Sequence, residues 1–188
     1  MTINLSRAAK SYLTRPEIKV GRGARTLATR FIRYRYRKAL ELFPGLDIQY
    51  VSTGEPYPTA GDMSNDVYVN HRMKVSNLYN TSTVFHPDDN LLLRAGHDLL
   101  DHVYIQNGFS VADELTAYNN MRADWDVFIA QHKSVPYCVR DAVMNALFCE
   151  FALQPIAADW LGGYDSIRDG LGFSQRVIDA RDILAGLD

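Results

Sequence analysis

The chain has 188 residues, 47% of them apolar and 22% charged, with a net charge of −2, which is ordinary for a globular protein able to bury a proper core. No apolar run approaches the ~20 residues that a bilayer-spanning helix needs, so no membrane role is expected. The opening Met1-Thr2-Ile3-Asn4-Leu5-Ser6-Arg7 lacks the apolar stretch of a signal peptide, which points to a protein that works in the cytoplasm where it is made.

The charge is unevenly spread. Residues 1–40 carry eleven Lys or Arg and a single acid, Glu17, a balance of +10, while the remaining residues sum to −12. Such asymmetry points to a basic arm or face meeting nucleic acid or another acidic surface; the plainer alternative is that the arm packs on the protein's own acidic body.

In chain order, residues 1–19 read as a basic leader in which Pro16 breaks any early helix. From about Gly23 to Phe43 the residues Leu27, Ala28, Phe31, Ile32, Ala39, Leu40 and Phe43 fall at helical spacing, and Pro44-Gly45 ends the helix. Arg30, Arg33 and Arg37, three or four apart, share the other side with Tyr34 and Tyr36 interleaved, the pattern of a nucleic-acid contact. Residues 46–90 lack helical periodicity and read as a long loop or a small β excursion, with strand-like pieces at Ile48–Val51, Val67–Val69 and Thr81–Phe85.

Helical patterning then returns. Asp88-Asp89-Asn90 offers caps for a helix to about Ile105, ended by Asn107-Gly108. Ser110, with Asp113 and Glu114 behind it, starts a helix to about His132 whose stripe is Val111, Leu115, Tyr118, Met121, Trp125 and Phe128. Pro136 starts a third, reaching Leu153 before Pro155. Ser174 to Leu184 reads as a last short helix. Cys138 and Cys149, the only cysteines, lie eleven apart in the third helix, about 16 Å. That is too far for a disulfide, and both read as buried thiols. Trp125 and Trp160 read as core.

The chemistry concentrates in Arg94-Ala95-Gly96-His97-Asp98-Leu99-Leu100-Asp101-His102, with Glu114 twelve residues later. Nitrogen and oxygen donors of this kind suit zinc or another first-row divalent ion. Asp98 and His102, four apart, share a face of an ordinary helix. His97 and His102, five apart, diverge by about 140° on a straight helix, so both reach one ion only if the helix ends, bulges or widens there. Alternatively His97 binds with Asp98, and His102 orients or serves as acid and base. Glu114 and Glu150 each fall toward an apolar stripe, where a carboxylate is costly unless paired or metal-bound. His71 and His86 read as loop residues, and His132 as a partner of a helix C-terminus.

Leu93-Arg94-Ala95-Gly96-His97-Asp98 through His102, then Gly108-Phe109, Glu114, Ala117 and Tyr118, resembles a pattern in helical proteins and domains of phages and prophages. In that pattern Phe-Arg-Ala-x-His-Asp-x-x-x-His precedes Gly-Phe, a Gly-Glu pair, and Ala with an aromatic. A later Glu-x-x-x-Gln is similar to Glu150-Phe-Ala-Leu-Gln154. The resemblance covers about residues 90–155 and departs at Asp113, where the family has Gly. Parts of the pattern also resemble the His-Asp phosphohydrolases, with His71 or His86 upstream of His97-Asp98 and Asp124 or Asp126 downstream. They are also similar to helical zinc proteins of ubiquinone-ring biosynthesis, in which the two histidines stand one residue closer.

The expectation is therefore a mainly α, helical-bundle single domain. Residues 1–45 form a basic arm and helix, 46–89 an irregular or small β excursion, and 90–188 a helical metal-binding core. The expected function is a phage-type metal-dependent hydrolase acting on a phosphoester or related substrate, in the host cytoplasm or the virion. A divalent metal, zinc first, would be held by His97, His102 and Glu114. Asp98 and Glu150 are the catalytic candidates: Asp98 as a fourth ligand or as the group that fixes a histidine tautomer, Glu150 as a ligand or the general base. The alternative is a non-enzymatic nucleic-acid-binding or virion structural protein, contacting nucleic acid through Arg30, Arg33 and Arg37, with a structural metal or a buried polar network.

Overall fold

The structure is a computed structural model that describes residues 4–78, 80–82, 84–163 and 176–185. The described residues are 65% helical with one small sheet among them, the mainly α fold with a small β excursion expected from the pattern. In chain order come α1 (Leu5–Thr14), α2 (Arg22–Leu42), β1 (Asp47–Val51), α3 (Ala60–Asn70), β2 (Arg72–Ser76) and α4 (Pro87–His97). The π-helical segment π1 (Asp98–Tyr104), α5 (Val111–Ala130) and α6 (Tyr137–Phe148) follow, then the π-helical π2 (Cys149–Leu153), α7 (Gln154–Leu161) and α8 (Arg181–Leu184).

The chain divides into two compact units, 29–80 with 86–133, and 1–28 with 81–85 and 134–188; the boundary falls within α2, after Ala28. In the first, β1 and β2 pair in parallel, Asp47 opposite Arg72 and Val51 opposite Ser76. α3 connects them, and His71 turns the chain from α3 into β2 in a left-handed conformation (φ 50°). Asp66 clamps this excursion by accepting from Arg72, Asn70 and the Tyr57 hydroxyl. Those bonds hold its carboxyl down at about 2, against the opposing effect of burial. Met63, Val67, Met73 and Val75 pack there with Ala95, Leu99, Leu100 and Val103.

π1 is the centre of this unit. Leu99, Leu100, Asp101, His102 and Val103 are five consecutive buried residues, more than one side of a helix can hide. α3 packs against π1, and so does α5. The inward stripe of α5 runs through Ala117, Tyr118, Met121, Asp124, Trp125 and Phe128. Phe31 of α2 meets Trp125 edge-on at 5.2 Å and Phe128 at 5.4 Å. α4 passes close to α2 at Gly96, where a Cβ would stand in ordinary contact, 3.5 Å from the Tyr36 backbone.

In the second unit α1, capped by Asn4, packs on α7 and π2. The Asn145 side chain donates to the Ile178 carbonyl at 2.7 Å and accepts from Ala180 N at 2.9 Å, fixing the chain before α8. Arg15 grips Asp182 through two bonds of 2.6 and 2.9 Å.

Several local expectations are corrected. The leader contains α1, formed before Pro16 can interrupt it. Val67–Val69 lies in α3, where tertiary packing outweighs the β preference of its valines. No described residue of 81–85 is in a strand. Pro155 does not end the third helical run, because it falls in the first turn of α7 behind the π2 turn, where no N–H is needed. The last helix is only Arg181–Leu184 among the described residues; 174–175 lie outside them. Cys138 is exposed and Trp160 is 49% exposed, so neither belongs to a core.

Candidate metal centre

The π turn answers the spacing problem set by the two histidines. An i→i+5 hydrogen-bond repeat widens the helix so that residues five apart fall on one side. The Asn107 N–H accordingly donates to the His102 carbonyl at 2.9 Å. The consequence is that Nε2 of His97 and Nε2 of His102 lie 3.0 Å apart, their rings nearly perpendicular.

Glu114 completes a triangle. Ser110 caps α5, with Asp113 closing the reciprocal bond, which fixes the first turn and aims Glu114 at the histidines. Its Oε2 is 3.4 Å from His97 Nε2, and its Oε1 is 3.5 Å from His102 Nε2. A tetrahedral ion with bonds of ~2.1 Å separates its donors by roughly 3.4 Å, so these three donors fit the face of one coordination sphere. His102 is 1% exposed, whereas the side chains of His97 and Glu114 keep 17% and 13%.

Behind the triangle stands a carboxylate that pattern reading missed. Asp101 Oδ2 holds His97 Nδ1 at 3.0 Å. Arg35 of α2 grips Asp101 with bonds of 2.9 and 2.7 Å, and its Nε donates to Asp124 at 3.0 Å. Lys38 reaches the other Asp124 oxygen at 2.5 Å. The signal was present in the sequence. Arg35 sits four residues from both Phe31 and Ala39, inside the apolar stripe of its helix, and Asp124 sits between Met121 and Phe128 in the stripe of another. Opposite charges at core positions of two helices call for each other.

The electrostatics follow from this arrangement. Burial opposes a charge on His97, but the hydrogen bonds to Asp101 and Glu114 outweigh it and raise its pKa to about 10. Burial and then the His97 charge push His102 down to about 4. Burial would raise Asp101, yet Arg35 and His97 hold it well below the usual carboxylate range. The triangle thus favours a cation, supplied by one proton on His97. His102 Nδ1 is buried and makes no hydrogen bond of good geometry, although the Gly108 backbone lies close enough to favour a proton on the ring. Phe109 covers the other side of that ring edge-on at 4.9 Å.

The remaining candidates are placed as follows. Asp98 makes no hydrogen bond to either histidine, but it lies within electrostatic reach of His97 and Glu114, and burial pushes it up to about 7. Glu150 lies in the other unit, in π2, within electrostatic reach of Tyr12 and Cys149. Arg30 and Arg37 are exposed and have no acidic partner among the described residues. Arg33 is bound to Asp89 at 2.8 Å. Part of the basic N-terminal charge is therefore answered by the protein's own acids, through Arg7, Arg15, Arg33, Arg35 and Lys38. His71 and His86 serve helix ends, and His132 Nδ1 lies 2.8 Å from the Phe128 carbonyl at the C-terminus of α5. Asp124 is engaged by Arg35 and Lys38. No described helix is long and apolar enough to cross a membrane. Comparison with protein families, with curated proteins and with solved structures finds no match.

Proposed function

We propose that His97, His102 and Glu114 bind one divalent cation, zinc first, as the centre of a metal-dependent hydrolase. The observation that carries the reading is the triangle of donors at 3.0, 3.4 and 3.5 Å, spaced for one ion. Three protein ligands, two of them partly exposed, match a site that keeps a position open, whereas structural zinc sites close with four. A divalent ion there would lower the pKa of bound water or polarise a phosphoryl or carbonyl oxygen. Asp98, within electrostatic reach of His97 and Glu114 and without a hydrogen-bond partner among the described residues, would serve there as the general acid or base. The likeness to phage and prophage helical proteins rests on the same residues and forms part of this proposal.

The test begins with protein made without a His tag, stripped by chelator and titrated with zinc or cobalt. One equivalent should bind, and His97→Ala and Glu114→Ala should lose it. A screen of phosphoesters, nucleotides and peptides should then find turnover that Asp98→Asn abolishes while metal stays bound. Glu150→Gln, in the same screen, reports whether that second carboxylate takes part. Wild-type protein that binds no ion at micromolar concentration rules the reading out.

A second reading has its own observation. Arg30 and Arg37, exposed and unanswered by any described acid, offer a short basic ridge on α2 to a polyanion. A nucleic-acid-binding or virion component with a buried His–Glu–Asp network would use that ridge without turnover.

A further inference from the structure

We propose that Asp101 is the positioning carboxylate of this centre, kept out of the ligand set by Arg35 and Asn120 so that it orients His97. This rests on the metal reading above. The argument begins with capacity. An ionised carboxylate offers about four acceptor positions. All of those on Asp101 are taken: Oδ1 accepts from Arg35 Nη2 at 2.7 Å and from Asn120 Nδ2 at 2.6 Å, and Oδ2 faces Arg35 Nη1 at 2.9 Å and His97 Nδ1 at 3.0 Å. Its side chain is wholly buried. No lone pair remains for an ion, although Asp101 is adjacent to one ligand and bonded to another.

Its effect on His97 is then determined. A proton on Nδ1, donated to Asp101, leaves Nε2 of the neutral ring as the lone pair, and Nε2 is the atom that meets His102 and Glu114. The same carboxylate also ties elements together. Arg35 comes from α2, His97 from the end of α4, Asn120 from the helix that carries Glu114, and Asp101 itself from π1. Arg35 continues to Asp124, and Asp124 to the half-exposed Lys38. The anion that polarises His97 is thus neutralised on its far side by a buried guanidinium, which leaves its charge in place and its position fixed.

The experiment uses wild-type protein and Asp101→Asn, with Asp101→Glu as rescue, each stripped and titrated with cobalt(II). Asn keeps the shape and an acceptor for Nδ1–H but removes the charge. Affinity should fall 10- to 100-fold in Asp101→Asn with a shifted cobalt absorption spectrum, and Asp101→Glu should recover part of it. Long-range proton–nitrogen NMR correlations of zinc-loaded wild-type protein provide a readout that needs no variant. His97 should be protonated at Nδ1 and ligated through Nε2. A zinc-loaded His97 ligated through Nδ1 overturns the proposal, as does Asp101→Asn binding cobalt within twofold of wild type with an unchanged spectrum. Either result leaves the metal reading standing. Wild-type protein that takes up no cobalt overturns both.

Discussion

His97 and His102 are five residues apart in sequence, yet their Nε2 atoms stand 3.0 Å from each other. Two imidazoles at that distance must share a proton or a metal. The choice between them is a competition that pH controls.

The proton on His97 is held by Asp101 and Glu114, with a pKa of about 10. A metal must displace it. Apparent metal affinity should therefore rise about tenfold per pH unit from about pH 6 to 9, and one proton should be released per ion. Calorimetry in buffers of different ionisation enthalpy counts that proton. Binding with no proton release across this range would show that His97 is neutral in the free protein.

The same shift couples to folding of the metal-free protein. The folded pKa of His97 is raised above its ordinary value of 6.5, so its stabilisation is fully present below 6.5 and is lost as pH rises through about 10. Melting temperature should fall across the alkaline part of that window, and His97→Gln should flatten the fall. His102, at about 4, titrates below that window and Asp98, at about 7, only at its lower end, so neither mimics a fall near pH 10.

Arg35 answers two buried carboxylates at once. Arg35→Met should destabilise the fold by about 3–5 kcal/mol, because Asp101 and Asp124 keep their burial and lose their counter-charge. Lys38 is 39% exposed, and solvent screens its ion pair, so Lys38→Met should cost less than about 1 kcal/mol. Urea unfolding of the two variants measures the contrast; equal costs would mean that the buried network is not what holds α2 to π1.

At Gly96, α4 passes close enough to α2 that a Cβ would just touch the Tyr36 backbone, while anything longer would meet it. Gly96→Ala brings a Cβ into ordinary contact with the Tyr36 backbone and should be tolerated or stabilising by up to about 1 kcal/mol through helix propensity. Gly96→Leu has no room and should lower the melting temperature and weaken cobalt binding together, since it pries Arg35 from Asp101.

On α2, Arg30 and Arg37 are unanswered by described acids and Arg33 is held by Asp89. If the ridge binds nucleic acid, Arg30→Ala and Arg37→Ala should each weaken binding at low salt and reduce its salt slope by about one ion, irrespective of sequence. Arg33→Ala should act more through the loss of Asp89. Filter binding or fluorescence anisotropy over a salt series checks this.

How much of this was legible can be traced residue by residue. His97, His102 and Glu114 stood out because imidazoles and an inward carboxylate are costly in apolar helix, and the structure brings their donors together. The need for a wider helix followed from angular arithmetic. Asp101 is hidden in the sequence because it neighbours a ligand and because its partner, Arg35, lies among many exposed arginines that mask its place in the apolar stripe. Asp98 was preferred for sharing an α-helical face with His102, a relation the π turn does not preserve. α3 and β2 escaped because their apolar residues are few and their stability comes from the Asp66 clamp and from packing on π1, neither of which has a local period.

The π turn can also be regarded as an insertion. It accommodates one residue more than an α turn while returning the chain to the same phase at either end, so the pair spaced five apart here is the geometric counterpart of a pair spaced four apart on a regular helix. Removing Leu99 or Leu100 should therefore let the segment relax to α geometry with both histidines still on one side, at the expense of a buried leucine. Two chains whose histidine spacing differs by one residue can present the same face, and a search for helical histidine pairs that allows a single spacing will divide into two groups what the backbone unites.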